Sequence, residues 1–474
     1  MATRHPQSKS LLVSFSPHAQ RLELSRADAT GRHFGDEILL KVLIIAIFLP
    51  EGLSFFIGDY RFSPARAFLI IVSLVVLARV SRRASMPRSV CVPSDIMAPL
   101  AGLWMVVAAI ATDGITSGFK GGIAQALEFS GTYYAFRYLL GPIDSSVRLA
   151  AFLSKIIVLV VLIALLDPLS GQLFTYEFVK GLTGYVKMAY ETAKASHSEA
   201  IYRDGLVRAM GPLEHSILFG TVCAWFGALA LFTFPGRLLR WTVPTVAIVG
   251  LWFSQSRGPL LGLVIACALA ALYAATRQFG ARWKVLGLLV AFAVTAIFLF
   301  SGSPIATLMT VGGLSPEAAW YRQAVWNAAL PLVWGSPLFG IGLTEDWDWQ
   351  VNGALIGTSV DAFWLRTAMM FGIPGTLFIF LTMAGAFWLG PIDNADSLSR
   401  EERLLSVALG VVVTVATFLG FTVHFWGACW ILLGAFPGIR ANLAECAIVR
   451  HRHAFDELGK AAPNSYVRSA LVRQ

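Results

Sequence analysis

The sequence predicts an all-α, polytopic membrane protein of about twelve transmembrane helices, on three observations. Of its 474 residues, 56% are hydrophobic and only 14% are charged, whereas soluble domains carry about a quarter charged residues. Mean hydropathy is +0.67. The apolar residues come in charge-poor runs of about twenty, the length that the hydrocarbon core of a bilayer asks of a helix. Together these exclude a water-soluble globular protein.

Taken in order, the apolar runs place spans near 38–57, 64–80, 96–112, 121–139, 148–168, 213–234, 239–254, 258–276, 284–301, 372–390, 403–424 and 427–439. The segment 1–36 is polar and mixed in charge, unlike a cleaved signal peptide, and the run after it is long enough to stay as an anchor. Lys and Arg fix the expected orientation, because positive loops stay cytoplasmic. Arg82, Arg83 and Arg88, then Arg148, Arg237 and Arg240, Arg277, Arg282 and Lys284, and Arg400 and Arg403 fall in alternate loops. The basic residues of 1–36 and of the 440–474 tail share that side. The expected organisation is therefore a cytoplasmic segment 1–36, helices 1–9 over 37–301 with an outer loop 169–212, a large outer loop 302–371 with interfacial helices, helices 10–12 over 372–439, and a cytoplasmic tail 440–474. In a cell with two membranes the outer face is periplasmic and the protein sits in the inner membrane.

The net charge of +9 is spread between hydrophobic spans, so membrane topology accounts for it and no nucleic-acid partner is expected. The five cysteines, Cys91, Cys223, Cys267, Cys429 and Cys446, show no CxxC spacing. They read as small hydrophobes, with neither a disulfide nor a metal site.

Against this topology four arginines stand out. Arg203, Arg208, Arg257 and Arg322 lie on the outer side, where topology gives no reason for positive charge. Each alone could be a surface or snorkelling arginine. As a group they suit an anion held at the membrane surface, most simply a phosphate or pyrophosphate. The first outer loop ends YRDGLVRAMGPLEHSILFG, with Glu214 and His215 at the start of the next helix. Glu214 there can be ordinary helix capping, and His215 an interfacial histidine or a substrate contact. SQSRGPLLGL follows in a short outer turn; Arg257 opens its helix, so guanidinium and free backbone N–H groups can meet one anion. RQAVWNAALPLVWGSPLFGIGL then sets Arg322 and Trp326 on a short interfacial helix before a Gly/Pro-rich turn. Trp347 and Trp349, beside Asp346 and Asp348, form either part of an aromatic belt or sugar-stacking surfaces. Asp361 precedes a Gly-Ile-Pro-Gly turn.

The order of these motifs, RxxG with a polar helix start, SRGPLLGL, RxxxW with PLFGIGL, and a polar residue leading into GIPG, resembles the O-antigen ligase/polymerase family over roughly residues 200–390. The resemblance implies a membrane glycosyltransferase of GT-C-type architecture that moves a glycan from undecaprenyl pyrophosphate to an acceptor at the periplasmic face. It implies that Arg208, Arg257 and Arg322 hold the pyrophosphate, and that a polysaccharide chain-length regulator can be a partner. Ligases of the family have a histidine where this chain has Asp361, and TSVDAFWL looks more like the exopolysaccharide-polymerase branch. The expected activity is thus polymerisation of lipid-linked repeat units. The alternatives are a ligase acting on lipid A–core and, in a different class, a lipid-linked oligosaccharide flippase.

The chemistry can be stated without the family. Glycosyl transfer passes through an oxocarbenium-like state; arginines stabilise the departing pyrophosphate, and a carboxylate can take the proton of the attacking hydroxyl. Asp361 suits that role or a helix N-cap, with Glu345, Asp346, Glu214 and Glu51 as rival bases. The expected catalytic set is Asp361, Arg257 and Arg322, with Arg203, Arg208, His215, Trp326, Trp347 and Trp349 binding pyrophosphate or glycan, and no metal or cofactor.

Overall fold

The computed structural model describes residues 35–58, 60–81, 91–141, 145–233, 237–276, 278–302, 304, 307, 316–343, 350–351, 354–355, 360–387 and 398–461. Trp347 and Trp349, with Glu345, Asp346 and Asp348, lie outside the described residues. Helices dominate, and the described strands pair only as three two-stranded antiparallel hairpins. This is an all-α polytopic membrane fold: among the described residues, nine helices are long and apolar enough to cross a membrane.

The helices are α1 (35–47), α2 (Pro64–Ser81), α3 (Pro93–Leu139), α4 (Ser145–Ala164), α5 (Phe174–Thr183), α6 (Met188–Ala195), α7 (Ser216–Thr233), α8 (Arg237–Ser254), α9 (Arg257–Ala275), α10 (Arg282–Phe300), α11 (Pro316–Gly335), α12 (Phe363–Gly385), α13 (Arg400–Leu419) and α14 (Ala428–Ala461). Strands β1 (Phe55–Ile57) and β2 (Tyr60–Phe62) join α1 to α2, and β3 (Tyr202–Arg203) and β4 (Leu206–Val207) lie ahead of α7.

Two glycines fold helices back on themselves. Gly114 has φ +79° inside α3, a conformation other residues rarely adopt. The arms on either side of it then pack antiparallel. A Cβ on Gly118 would overlap the Ala109 carbonyl, one on Gly122 would stand 2.8 Å from Val106 Cα, and Ser130 Oγ donates to Ala98 O at 2.6 Å. The expected separate spans 96–112 and 121–139 are therefore the two arms of this hairpin. Gly372, φ +71°, does the same within α12. Thr376 Oγ1 meets Thr367 Oγ1 at 3.2 Å, and the Trp364 and Phe380 rings lie 5.9 Å apart. The expected span start at 372 is this turn, while Phe363–Phe371 is a helical arm that the sequence reading assigned to the outer loop. Beside these nine, the described residues hold the second arm of α3, the helix α1 and the shorter apolar helix Trp241–Ser254.

The first expected span, 38–57, is corrected. Helix α1 stops at 47, and Phe55–Phe62 is a hairpin. Phe55, Phe56 and Ile57 continue the apolar run, but Pro50 cannot extend a helix, and Gly58 takes φ +60° at the hairpin tip.

At one end, here called proximal, ion pairs stitch the helices together: Arg79 to Asp36, Arg148 to Glu37 at 2.8 Å, and Arg450 to Glu402 at 2.7 Å. The fully buried Arg137 pairs with Asp95 at 2.8 Å and Glu445 at 2.6 Å. Helix α14 lies close along the second arm of α3 because Gly434 and Gly438, four apart, present no side chain to the Phe129 and Tyr133 carbonyls. Near its middle this arm carries one π-helical turn, Leu127–Gly131. Such turns often mark functional positions, and this one holds Glu128 in the wall of the distal cavity. Helix α10 stands apart, with Arg282 its one buried residue, as expected of a helix whose apolar sides face lipid.

Candidate active site

The site is built around the turn 208–215, and a set of buried polar contacts holds that turn. The Asp204-Gly205 tip of the β3–β4 hairpin takes positive φ at both residues, +50° and +76°, the geometry of a tight two-residue hairpin. Arg208, 2% exposed, then fans out. Its Nε donates to Ser254 O at 3.0 Å, Nη1 to Glu199 O at 2.9 Å, and Nη2 to Ser256 Oγ at 2.9 Å. Arg203 Nη1 donates to Gln255 O at 2.7 Å, and Ala209 N to Phe253 O at 2.9 Å. One carboxylate oxygen of Asp167 accepts from both Met210 N (2.9 Å) and Gly211 N (2.7 Å). Gly211 has φ +56°, and a Cβ there would stand 2.7 Å from Ala164 Cβ, so only glycine fits.

These contacts deliver Glu214 and His215 to the head of α7. His215 Nδ1 accepts from Ile217 N at 3.0 Å, which caps the helix and requires that nitrogen to be unprotonated. Burial, with Arg208 and Lys187 nearby, takes the His215 pKa down to about 3. The Glu214 carbonyl accepts from the Tyr190 hydroxyl. Its carboxyl enters a distal cavity of about 660 Å³, large enough for a sizeable ligand.

The cavity is strongly charged. Glu51 pairs with Arg61 at 2.7 Å and Lys187 at 2.8 Å; burial works to raise its carboxyl, but Lys187 and Arg61 together hold it below the ordinary value. Arg66 pairs with Glu128 at 2.5 Å. Asp361, Arg366 and His424 complete the wall from α12 and the connection into α14. His424 stacks on Trp426 with centroids 5.3 Å apart, and burial followed by Arg366 drives its pKa well below the ordinary histidine value. The imidazole is therefore neutral at physiological pH.

Of the residues expected from sequence, the structure brings some to this place and gives others different work. Asp361 lines the cavity. The residue at the N-cap of α12 is Ala362, with no side-chain cap bond, so the cap reading of Asp361 is set aside. Arg322 feels the Asp361 charge; burial lowers its pKa and Asp361 opposes that shift. Its Nη2 would stand 4.0 Å from a Cβ on Gly258, next to the exposed Arg257 that opens α9. Arg322 and Asp361 thus lie within electrostatic reach of each other beside the entrance of α9, which Arg257 opens. Arg203 and Arg208 anchor the loop to the 254–256 turn. Trp326 stacks on Phe421 at 6.2 Å and donates to its carbonyl at 3.4 Å, outside the cavity wall.

Sequence reasoning missed Arg61, Arg66, Lys187, Arg366 and His424. The excess of positive charge on the outer side that singled out Arg203 and Arg208 applies equally to Arg61 and Arg66. Running the first span to residue 57 hid them by making their connection look like a bare turn. Arg366 stands five residues after Asp361 in the same motif and carried a readable signal.

No curated protein matches the chain. Residues 243–380 match the family model described as O-antigen ligase. That segment runs from α8 through the second arm of α12 and contributes Asp361 and Arg366 to the cavity wall and Arg322 beside Asp361. This match supports assigning the chain to the O-antigen ligase/polymerase family.

Proposed function

We propose that the protein polymerises undecaprenyl-pyrophosphate-linked oligosaccharide repeat units into a surface polysaccharide. On this reading it is a metal-independent, GT-C-type glycosyltransferase of the inner membrane, with the distal end of the bundle facing the periplasm. The observation that carries the reading is the meeting of Asp361 and Arg366, both in the family-matched segment, at a charged cavity of about 660 Å³, with Arg322 within electrostatic reach of Asp361. A pyrophosphate is a good leaving group, and the main requirement is to stabilise the charge it gains as it departs. Arg257 and Arg322 meet that requirement at the α9 entrance, and Arg366 extends the positive lining inward. The polyprenyl chain stays in the bilayer while the saccharide occupies the cavity. Asp361 in the position where ligases of the family have histidine favours the polymerase over the ligase. A chain-length regulator is the expected partner.

The test is an assay of the purified full-length protein with an undecaprenyl-pyrophosphate-linked repeat unit, resolved on a gel. A ladder of lengthening products is the expected result. A single shift that needs added lipid A–core would make the protein a ligase. Neither product, with labelled lipid crossing a vesicle bilayer, would make it a flippase.

A further inference from the structure

We propose that Glu214 is the general base of this transfer, taking the proton of the attacking sugar hydroxyl, and that Asp361 serves to position Arg322. The inference rests on the glycosyl-transfer reading above and deepens it.

Four carboxyl groups line the cavity: Glu51, Glu128, Glu214 and Asp361. Glu51 lies between Arg61 and Lys187, Glu128 is paired with Arg66, and Asp361 stands by Arg322. A carboxylate that balances a nearby guanidinium or ammonium already spends its acceptor oxygens on that cation. Glu214 has no ion-pair partner among the described residues. Its surroundings come from every element packed on it: Glu51 and Arg61 before α2, Arg66 on α2, and Glu128 on α3. Tyr185, Lys187 and Tyr190 face it from the first outer loop, Cys429 from α14, and Asp361, Arg366 and His424 from across the cavity.

The backbone has been shaped to leave this carboxyl in place. Gly427 takes φ +53°, and a Cβ there would stand 2.5 and 2.9 Å from the two Glu214 carboxylate oxygens. The connection carrying His424 and Trp426 therefore closes directly on the carboxyl, and any side chain at 427 would evict it. On the other side, the Arg208 fan, the Asp167 bracket and the Tyr190 hydroxyl fix the turn that presents it. Such an array of buried polar contacts holds a reacting group to the narrow geometry that catalysis requires. Burial, reinforced by the charge of Glu51, raises the Glu214 pKa to about 7. A base works best when its pKa lies near the operating pH.

In the step, the acceptor hydroxyl oxygen forms a bond to the anomeric carbon of the donor glycan. The bond from that carbon to the pyrophosphate oxygen breaks, and its electron pair leaves with undecaprenyl pyrophosphate. The hydroxyl proton passes to the Glu214 carboxylate and then to water.

The experiment measures kcat/KM for ladder formation against pH, with the full-length protein and the lipid-linked repeat unit. Wild type should gain rate as pH rises through about 7. Glu214→Gln should fall by about 100-fold or more, the usual scale of general-base catalysis. It should retain the wild-type melting temperature, because Gln matches the neutral carboxylic acid in size, and its residual rate should not follow the wild-type profile. Glu214→Asp should keep part of the rate with a displaced midpoint. A Glu214→Gln enzyme within threefold of wild type, or one that keeps the wild-type pH profile, overturns the assignment alone. A wild-type protein inactive on the lipid-linked unit, with or without lipid A–core, removes the functional reading and this assignment with it.

Discussion

Arg208→Ala separates a ligand arginine from a scaffold arginine. The sequence offered Arg208 as part of a pyrophosphate clamp, whereas the structure gives it three short hydrogen bonds to Ser254 O, Glu199 O and Ser256 Oγ. Hydrogen bonds from a charged donor contribute roughly 1.5–3 kcal/mol each at best. Against this stands the penalty of burying the guanidinium. Burial, with Arg203 adding to it, takes the Arg208 pKa down to about 9. Alanine removes both contributions, and the expected net destabilisation is about 2 kcal/mol, a fall of several degrees in melting temperature. Activity should fall in parallel, since the same turn carries Glu214. The assay pairs thermal unfolding of the purified protein with binding of the lipid-linked substrate. Unchanged melting with selective loss of pyrophosphate-lipid binding would refute the scaffold role and return Arg208 to the clamp.

Three further outcomes are expected. Arg257→Ala and Arg322→Ala should each abolish polymer formation while the protein inserts and melts normally, which membrane fractionation and gel ladders would check; wild-type activity in both removes the clamp. Asp361→Asn should lower kcat/KM by about tenfold, equivalent to about 1.4 kcal/mol of transition-state stabilisation. It should leave the pH midpoint in place, because Asp361 acts through Arg322; a shifted midpoint would make Asp361 the base. Arg137→Ala leaves Asp95 and Glu445 facing each other without their shared cation, and should cost roughly 3–5 kcal/mol, seen as loss of folded protein; full yield and melting temperature would contradict it.

The sequence by itself determined the class and most of the membrane-length helices. Those follow from a local property, since twenty apolar residues in a row are solvated by lipid whatever they pack against. Asp361, Arg322 and Arg257 were singled out for a related reason: a charge next to a turn, away from the basic loops, has no topological excuse. The hairpins at Gly114 and Gly372 were half legible, as span boundaries rather than as folded helices. Only tertiary structure decided which arginines are scaffold. Arg208 and Arg257 read alike along the chain, but one is buried against the carbonyls of a turn more than forty residues away and the other is exposed. Only tertiary structure, too, joined Glu51, Glu128, Glu214 and Asp361 around one cavity and set cations beside three of them while leaving Glu214 without an ion-pair partner among the described residues. A side chain's charge state and role depend on burial and on partners brought in by packing, and no local stretch of sequence contains either.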